Sequence, residues 1–349
     1  MQIAERTIGL DSPVFIIAEV SANHNQSLQL AYETITAAAE AGADAVKLQT
    51  YTPDTLTFNG DTEPFRVTQG TIWDGRTLYS LYQEGQTPWE WHAELFEHAK
   101  SLGLVAFSSP FDPSAVDFLE SLQVPAYKVA SFEIVDIPLI EQIAALGKPV
   151  IISTGIARES DIHLALETCR KVGNDQLILL KCTSAYPALA EELNLQTITD
   201  IPSRYGCIPG YSDHTLTNTA SVVATALGAR VIERHIILNH SIESLDAAFS
   251  TSAKEFGQLV QDIREAEAAL GSVSYDLSPR MEASREHARS LFVVKDVEQG
   301  DLVTRENVRS IRPSAGIHPK YLGSVLGRRF NARVTAGTPL SFELLDETV

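Results

Sequence analysis

Eight short apolar runs, each with a helix-like stretch between it and the next, constrain this chain more than any other feature of its sequence. The runs lie at 14–20, 44–50, 104–109, 126–131, 149–155, 177–183, 208–214 and 229–236. Segments 28–43, 89–103, 161–173 and 252–271 carry apolar residues at helical spacing, with Gly at or near the end. Strands that are apolar throughout are buried on both faces, as in a parallel sheet covered by helices. Eight such units close into a (β/α)8 TIM barrel. An open doubly wound sheet is the alternative, but no Gly-rich phosphate loop follows the first run.

Two segments interrupt the rhythm. Residues 51–87 form a long insertion after the second strand, rich in Asp, Thr, Gly and aromatics, and long loops at that end of a barrel are usually functional. Residues 272–289 read as a polar linker. The remainder, 290–349, has short strands punctuated by Gly and Pro; a module of about 60 residues is marginal alone and leans on the barrel or on a second chain. The expected organisation is therefore a barrel domain at 1–271, a linker at 272–289 and a small β-rich domain at 290–349.

Composition narrows the environment. The formal charge of −18 disfavours nucleic acid and anionic membranes as partners. No apolar run approaches the roughly 20 residues that span a bilayer, and the first fifteen residues lack the pattern of a secretory signal. Cys169, Cys182 and Cys207 form no CxxC pair, which suits a reducing, cytoplasmic setting. An anionic substrate would need a local cationic pocket inside this acidic chain.

Polar residues at the C-terminal ends of barrel strands point into the active site. The first strand offers Glu19 and the turn Ser21-Ala22-Asn23-His24-Asn25, the second Lys47 and Gln49, and the third Ser108 and Ser109. The fourth gives Lys128 and Ser131, the fifth Ser153 and Thr154, and the sixth Lys181, Thr183 and Ser184. The seventh gives Ser212, Asp213 and His214, and the eighth Glu233 and His235. An unpaired ammonium inside a strand is costly, so three strand lysines need partners. Those partners are either carboxylates such as Glu19 and Glu233 or a bound anion held with the serine hydroxyls. His214 and His235, flanked by Asp213 and Glu233, suit a divalent metal whose other positions are left to water and substrate. His92, His98 and His163 lie on amphipathic helices and are expected at the surface, whereas His24 is a functional candidate.

The segments FIIAEVSANHN, AGADAVKLQTY, FSSPFD, YKVASFE, IISTG, KCTSAYPA, GYSDHT and VIERHI resemble, in order, the signatures of the sialic acid synthase family. IRPSAGIHPKYLGSVLG is similar to that family's antifreeze-like (SAF) domain, and the likeness spans nearly the whole chain. Within the family, SANHNQS, TPWEWH, FSSPFD and KCTSAYP look most like the pseudaminic acid synthase branch. The neuraminate and legionaminate branches more often carry Asn where this chain has Ser184.

The resemblance implies a metal-dependent condensation of phosphoenolpyruvate with an amino-sugar aldehyde of the 2,4-diacetamido-2,4,6-trideoxy-hexose type. It matches Lys47, Ser109, Lys128, Ser131, Ser153 and Ser212 to phosphoenolpyruvate and His214 and His235 to Mn2+, Mg2+ or Co2+. Gln49, Ser184 and Tyr186 fall at substrate-side positions, and Glu19 and Asp246 at the reacting centre. Arg312 matches an arginine inserted into the other subunit's barrel, implying a domain-swapped homodimer. The usual Gly-Pro before the aspartate is replaced by NHSIESLDAAFS, so Glu243 is an alternative to Asp246. The rival readings are a Schiff-base aldolase using a strand lysine and a sugar-binding barrel without catalysis.

Overall fold

In the computed structural model, residues 1–68, 70 and 72–346 are described, and they divide into two compact units, Met1–Gly271 and Ser272–Val349. The first is a closed barrel of eight parallel strands. These are β1 (Phe15–Glu19), β2 (Ala45–Thr50), β3 (Val105–Pro110), β4 (Tyr127–Val129), β5 (Val150–Ser153), β6 (Leu177–Cys182), β7 (Ile208–Asp213) and β8 (Val231–Ile237). Each pairs with the next, and β8 pairs with both β7 and β1 to close the ring. The strand interiors are almost wholly buried, as their unbroken apolar sequences require.

Helices cover the outside, each started by a local signal. Ser27 caps α1 (Leu28–Glu40), the helix before β2; Asp112 caps α3 (Pro113–Ser121), which has Pro at its first turn; and Ser252 and Glu255 form a capping box on α4 (Ala253–Leu270). Segment 89–103 opens with a 3-10 turn, Trp89–Trp91, before α2 (His92–Ser101). The same hydrophobic stripe buries His92, Leu95, Phe96 and Ala99, so His92 is core, contrary to its expected surface place. His98 is half-buried against Thr36, and His163 is exposed beside Glu159.

The insertion after β2 is structured: helix Pro53–Leu56, a 3-10 turn Glu63–Phe65, a bridge Arg66↔Thr77 and helix Leu78–Gly85. The second unit pairs Ser290–Val293 antiparallel with Val308–Ile311 over a core including Leu291, Val293, Phe330 and Leu340. Segment 272–289 contains a short helix, Pro279–Ser284, capped by Ser278, where the sequence suggested only a linker. No helix among the described residues is long and apolar enough to cross a membrane.

Candidate active site

Strand register builds the centre of the site. Glu19 on β1 is level with Lys47 on β2 and with His235 on β8, and Glu233 is level with Ser212 on β7. Neighbouring carboxylates and bases therefore meet at one mouth of the barrel. Lys47 Nζ lies 3.0 Å from Glu19 and 3.1 Å from Glu233, and Lys128 Nζ lies 3.7 Å from Glu233. All four side chains are buried. Burial disfavours a charged Lys47, but Glu19 and Glu233 outweigh it and raise its pKa. For Lys128 burial wins and lowers it. Burial works against Glu19 too, yet His235, Lys47 and a bond from Gln49 Nε2 (2.8 Å) hold its carboxyl well below the usual range.

The two lysines thus have carboxylate partners before any ligand binds. Lys181 stands apart from this cluster. Its Nζ donates to the Cys182 carbonyl (2.8 Å), so two of the three strand lysines share the mouth.

Hydroxyls ring the ionic cluster. Ser212 donates to Glu233 (3.1 Å), and Ser131, which opens a 3-10 turn rather than ending β4, accepts from Gly155 N–H (3.1 Å). Ser109 Oγ, Ser153 Oγ and Thr183 Oγ1 are buried without a hydrogen-bond partner among the described residues. Such unpartnered hydroxyls suit an oxygen-rich anion, which would accept from them. Gly155 keeps this space open, because a Cβ there would lie 2.0 Å from Ser184 Oγ and 2.7 Å from Ser131 Oγ. Ser108 faces elsewhere, bonded to Thr50 and through it to His92. Thr154 is likewise occupied, donating to the Leu180 carbonyl.

The two histidines face each other with ring centroids 5.4 Å apart. His214 Nδ1 lies 3.1 Å from the Thr183 carbonyl, an arrangement that turns Nε2 to the opposite side. His235 has Ser21 Oγ (3.1 Å) and Asp246 (3.7 Å) on Nδ1, and Glu19 (3.3 Å) on Nε2. Asp246 is therefore beside the histidine pair, whereas Glu243 is exposed. Burial opposes a charged His214, but the negative charge of the Cys182 thiolate and the Thr183 carbonyl outweigh it and raise its pKa to about 9. Cation binding there would release that proton. Among the described residues no cluster of three or more His, Cys, Asp or Glu forms a ready-made cage. Two imidazoles with Glu19 beside one of them nonetheless fit a divalent cation that completes its shell with ligand oxygens.

Asp213 does not flank the metal candidates. It points away from the barrel interior to accept from Thr215 N–H, Ser221 and Arg234, because adjacent strand residues face opposite sides. His24 is also structural: Nε2 lies 3.1 Å from Thr87 Oγ1, and Nδ1 accepts from Gln26 N–H. Asn23 ties the first turn to the Ile236 carbonyl in β8 and to Ser250, and Asn25 ties it to the Glu243 carbonyl.

One part of the site has no simple motif. Tyr186 packs 4.6 Å from His214 and 4.8 Å from Phe249, while Phe249 lies 5.0 Å from His235. Trp73, from the insertion after β2, caps this wall at 5.9 Å from Tyr186 and 6.2 Å from Phe249. Phe249 ends a single 3-10 turn, Ala247–Phe249, and Trp73 sits in a turn, and both are too short for periodicity to carry a signal. Arg312 lies in the second unit, exposed, directly after the strand Val308–Ile311.

The NeuB family model matches residues 34–275, and the SAF domain model matches 288–346. The pseudaminic acid synthase of Helicobacter pylori is 46% identical over 338 residues, covering 97% of this chain and 99% of that protein. The pseudaminic acid synthase of Campylobacter jejuni serotype O:23/36 is 46% identical over 330 residues, 95% of this chain and 96% of that protein. A crystal structure of the N-acetylneuraminic acid synthetase from Leptospira borgpetersenii, in complex with citrate, superposes with a TM-score of 0.72 at 29% identity. It covers 81% of this chain and 94% of that one.

Proposed function

Because the chain belongs to the NeuB family of sialic acid synthases, we propose that it condenses phosphoenolpyruvate with an open-chain 2,4-diacetamido-2,4,6-trideoxy hexose of the altropyranose type. The products are a nine-carbon pseudaminate-type acid and phosphate. The reading is carried by one observation: two buried lysines, orphaned hydroxyls and paired imidazoles converge at one mouth of the barrel. The pseudaminic acid synthases that share 46% identity over nearly the full chain favour this acceptor over N-acetylmannosamine or a legionaminate precursor.

In the proposed reaction, carbon 3 of phosphoenolpyruvate bonds to the aldehyde carbon, and the aldehyde oxygen gains a proton. Water adds at carbon 2, and the bond from carbon 2 to the phosphate oxygen breaks, leaving a keto acid. Lys47 and Lys128 hold the carboxylate and phosphate, with Ser109, Ser131, Ser153 and Ser212 supplying hydrogen bonds. Ser184 and Tyr186 border the acceptor, and Gln49 orients Glu19 through its amide. Glu19, kept ionised, is placed to take the proton from water, and Asp246 holds the His235 ring. His214 and His235 would hold Mn2+, Mg2+ or Co2+, which supplies Lewis-acid polarisation of a carbonyl when bound. Arg312, from the SAF domain of a partner in a swapped homodimer, orients the sugar's polar groups.

The test is phosphate release with each candidate sugar, with mass spectrometry of the product. The expected result is a nine-carbon acid from the trideoxy sugar, complete loss of turnover with EDTA and no trapping by borohydride. Borohydride-dependent labelling in the presence of pyruvate, with activity retained in chelator, would establish the Schiff-base aldolase instead. His235→Ala is expected to remove turnover and cation binding while leaving the melting temperature close to that of the wild type. Near-normal activity in that variant would refute the assigned role.

A further inference from the structure

Resting on the pseudaminate-type reading, we infer that Trp73 is a specificity-determining residue that recognises the deoxygenated end of the acceptor sugar. Three aromatic rings run outward from the histidine pair. Tyr186 and Phe249 touch the two imidazoles, and Trp73 lies against both of them from the far side. The indole is held at two levels. Its Nε1 donates to the Leu245 carbonyl (3.1 Å), beside Asp246. The loop that bears it is closed by hydrogen bonds from Val67 N–H to Arg76 O and from Gly75 N–H to Val67 O, both 2.9 Å.

Trp73 is only half-buried. With its polar atom already used, what it offers a ligand is apolar ring surface. A sugar whose first carbon sits at the histidines extends its remaining carbons along this wall. The sixth carbon is the apolar terminus of a 6-deoxy hexose, and a methyl group there loses no hydrogen bond on packing against the rings. A 6-hydroxyl must give up water without gaining a partner. Such discrimination is modest, because an apolar wall rejects an added hydroxyl by about a hundredfold at most.

The experiment compares kcat/KM for 2,4-diacetamido-2,4,6-trideoxy-altrose and its 6-hydroxy counterpart, with KM for phosphoenolpyruvate measured alongside. The chains are wild type, Trp73→Ala and Trp73→Phe, each checked by near-ultraviolet circular dichroism. The wild type is expected to prefer the deoxy sugar by at least about tenfold. Trp73→Ala should abolish that preference, mainly through KM for the deoxy sugar, with KM for phosphoenolpyruvate changed less than about threefold. Trp73→Phe should keep most of the preference, since it retains an aromatic face without the N–H.

An unchanged preference in Trp73→Ala would overturn the inference while leaving the synthase reading intact. So would a Trp73→Phe chain as impaired as Trp73→Ala, because the indole would then act through its bond to Leu245. Turnover of neither sugar by the wild type would overturn both the inference and the reading beneath it.

Discussion

Gly155 shows how little separates an open pocket from a closed one. Its N–H reaches Ser131, and the space where a side chain would stand is taken by Ser184 and Ser131 hydroxyls. Gly155→Ala should push those hydroxyls out of place and lower kcat/KM for phosphoenolpyruvate by about a hundredfold, the scale of a roughly 1 Å misplacement. Thermal unfolding should change little, because the position is only half-buried. Unaltered kinetics in a well-folded variant would show that the serines are not ligand contacts. The sequence made Ser131 and Ser153 visible as polar breaks in apolar strands. Gly155 was hidden in the same motif, because its role is the absence of atoms. Asp213 shows the opposite failure: as a carboxylate next to His214 it drew a functional reading, but strand alternation turns it outward to Arg234.

At the level of elements, two buried imidazoles tie the barrel to the segment that leads into α2 (His92–Ser101): His24, in the turn after β1 (Phe15–Glu19), lies against Thr87, and His92 against Thr50 at the end of β2. Desolvation lowers the pKa of both His24 and His92 to about 4. The unfolded chain takes up these protons near pH 6.5, before the native state does, so native stability falls as pH drops from about 6.5 towards 4. Each shift is worth up to roughly 3 kcal/mol at 1.36 kcal/mol per unit. Urea denaturation at pH 7 and pH 5 should show this loss, and the His24→Gln, His92→Gln double variant should lack most of it. An equal slope in the double variant would assign the acid sensitivity to other groups.

The eight strands were legible because each is buried on both faces and so reads as one apolar run. Their ends were less so, since Ser131 already belongs to a 3-10 turn and Thr183 to a loop. The place of His92 was in fact encoded. It shares a stripe with Leu95, Phe96 and Ala99, and only the habit of treating histidine as polar concealed it.

On the scale of the whole molecule, the two units fold around separate cores, and the proposed catalytic set draws on both. Arg312 follows a strand of the second unit and is braced nearby by Ser290, which donates to the Pro313 carbonyl and accepts from Gly316 N–H. In a swapped homodimer, Arg312→Ala should lose activity. Mixing it with an inactive His235→Ala chain, under conditions that exchange subunits, should restore up to about a quarter of wild-type turnover as sites with both residues intact re-form. Absence of any recovery once exchange is verified would place Arg312 in its own chain's site or outside catalysis. The proposed reach between chains is invisible to periodicity and rests on likeness to a family.

The ion pairs among Glu19, Lys47, Lys128 and Glu233 have a further consequence for traffic through the cavity. Each lysine there already faces a carboxylate, so the floor offers little surplus attraction to a small anion arriving alone. Chloride, which fills none of the hydroxyls, gains little by entering. An anion with enough oxygens to meet the unpartnered hydroxyls of Ser109, Ser153 and Thr183 gains bonds there that a smaller one cannot make.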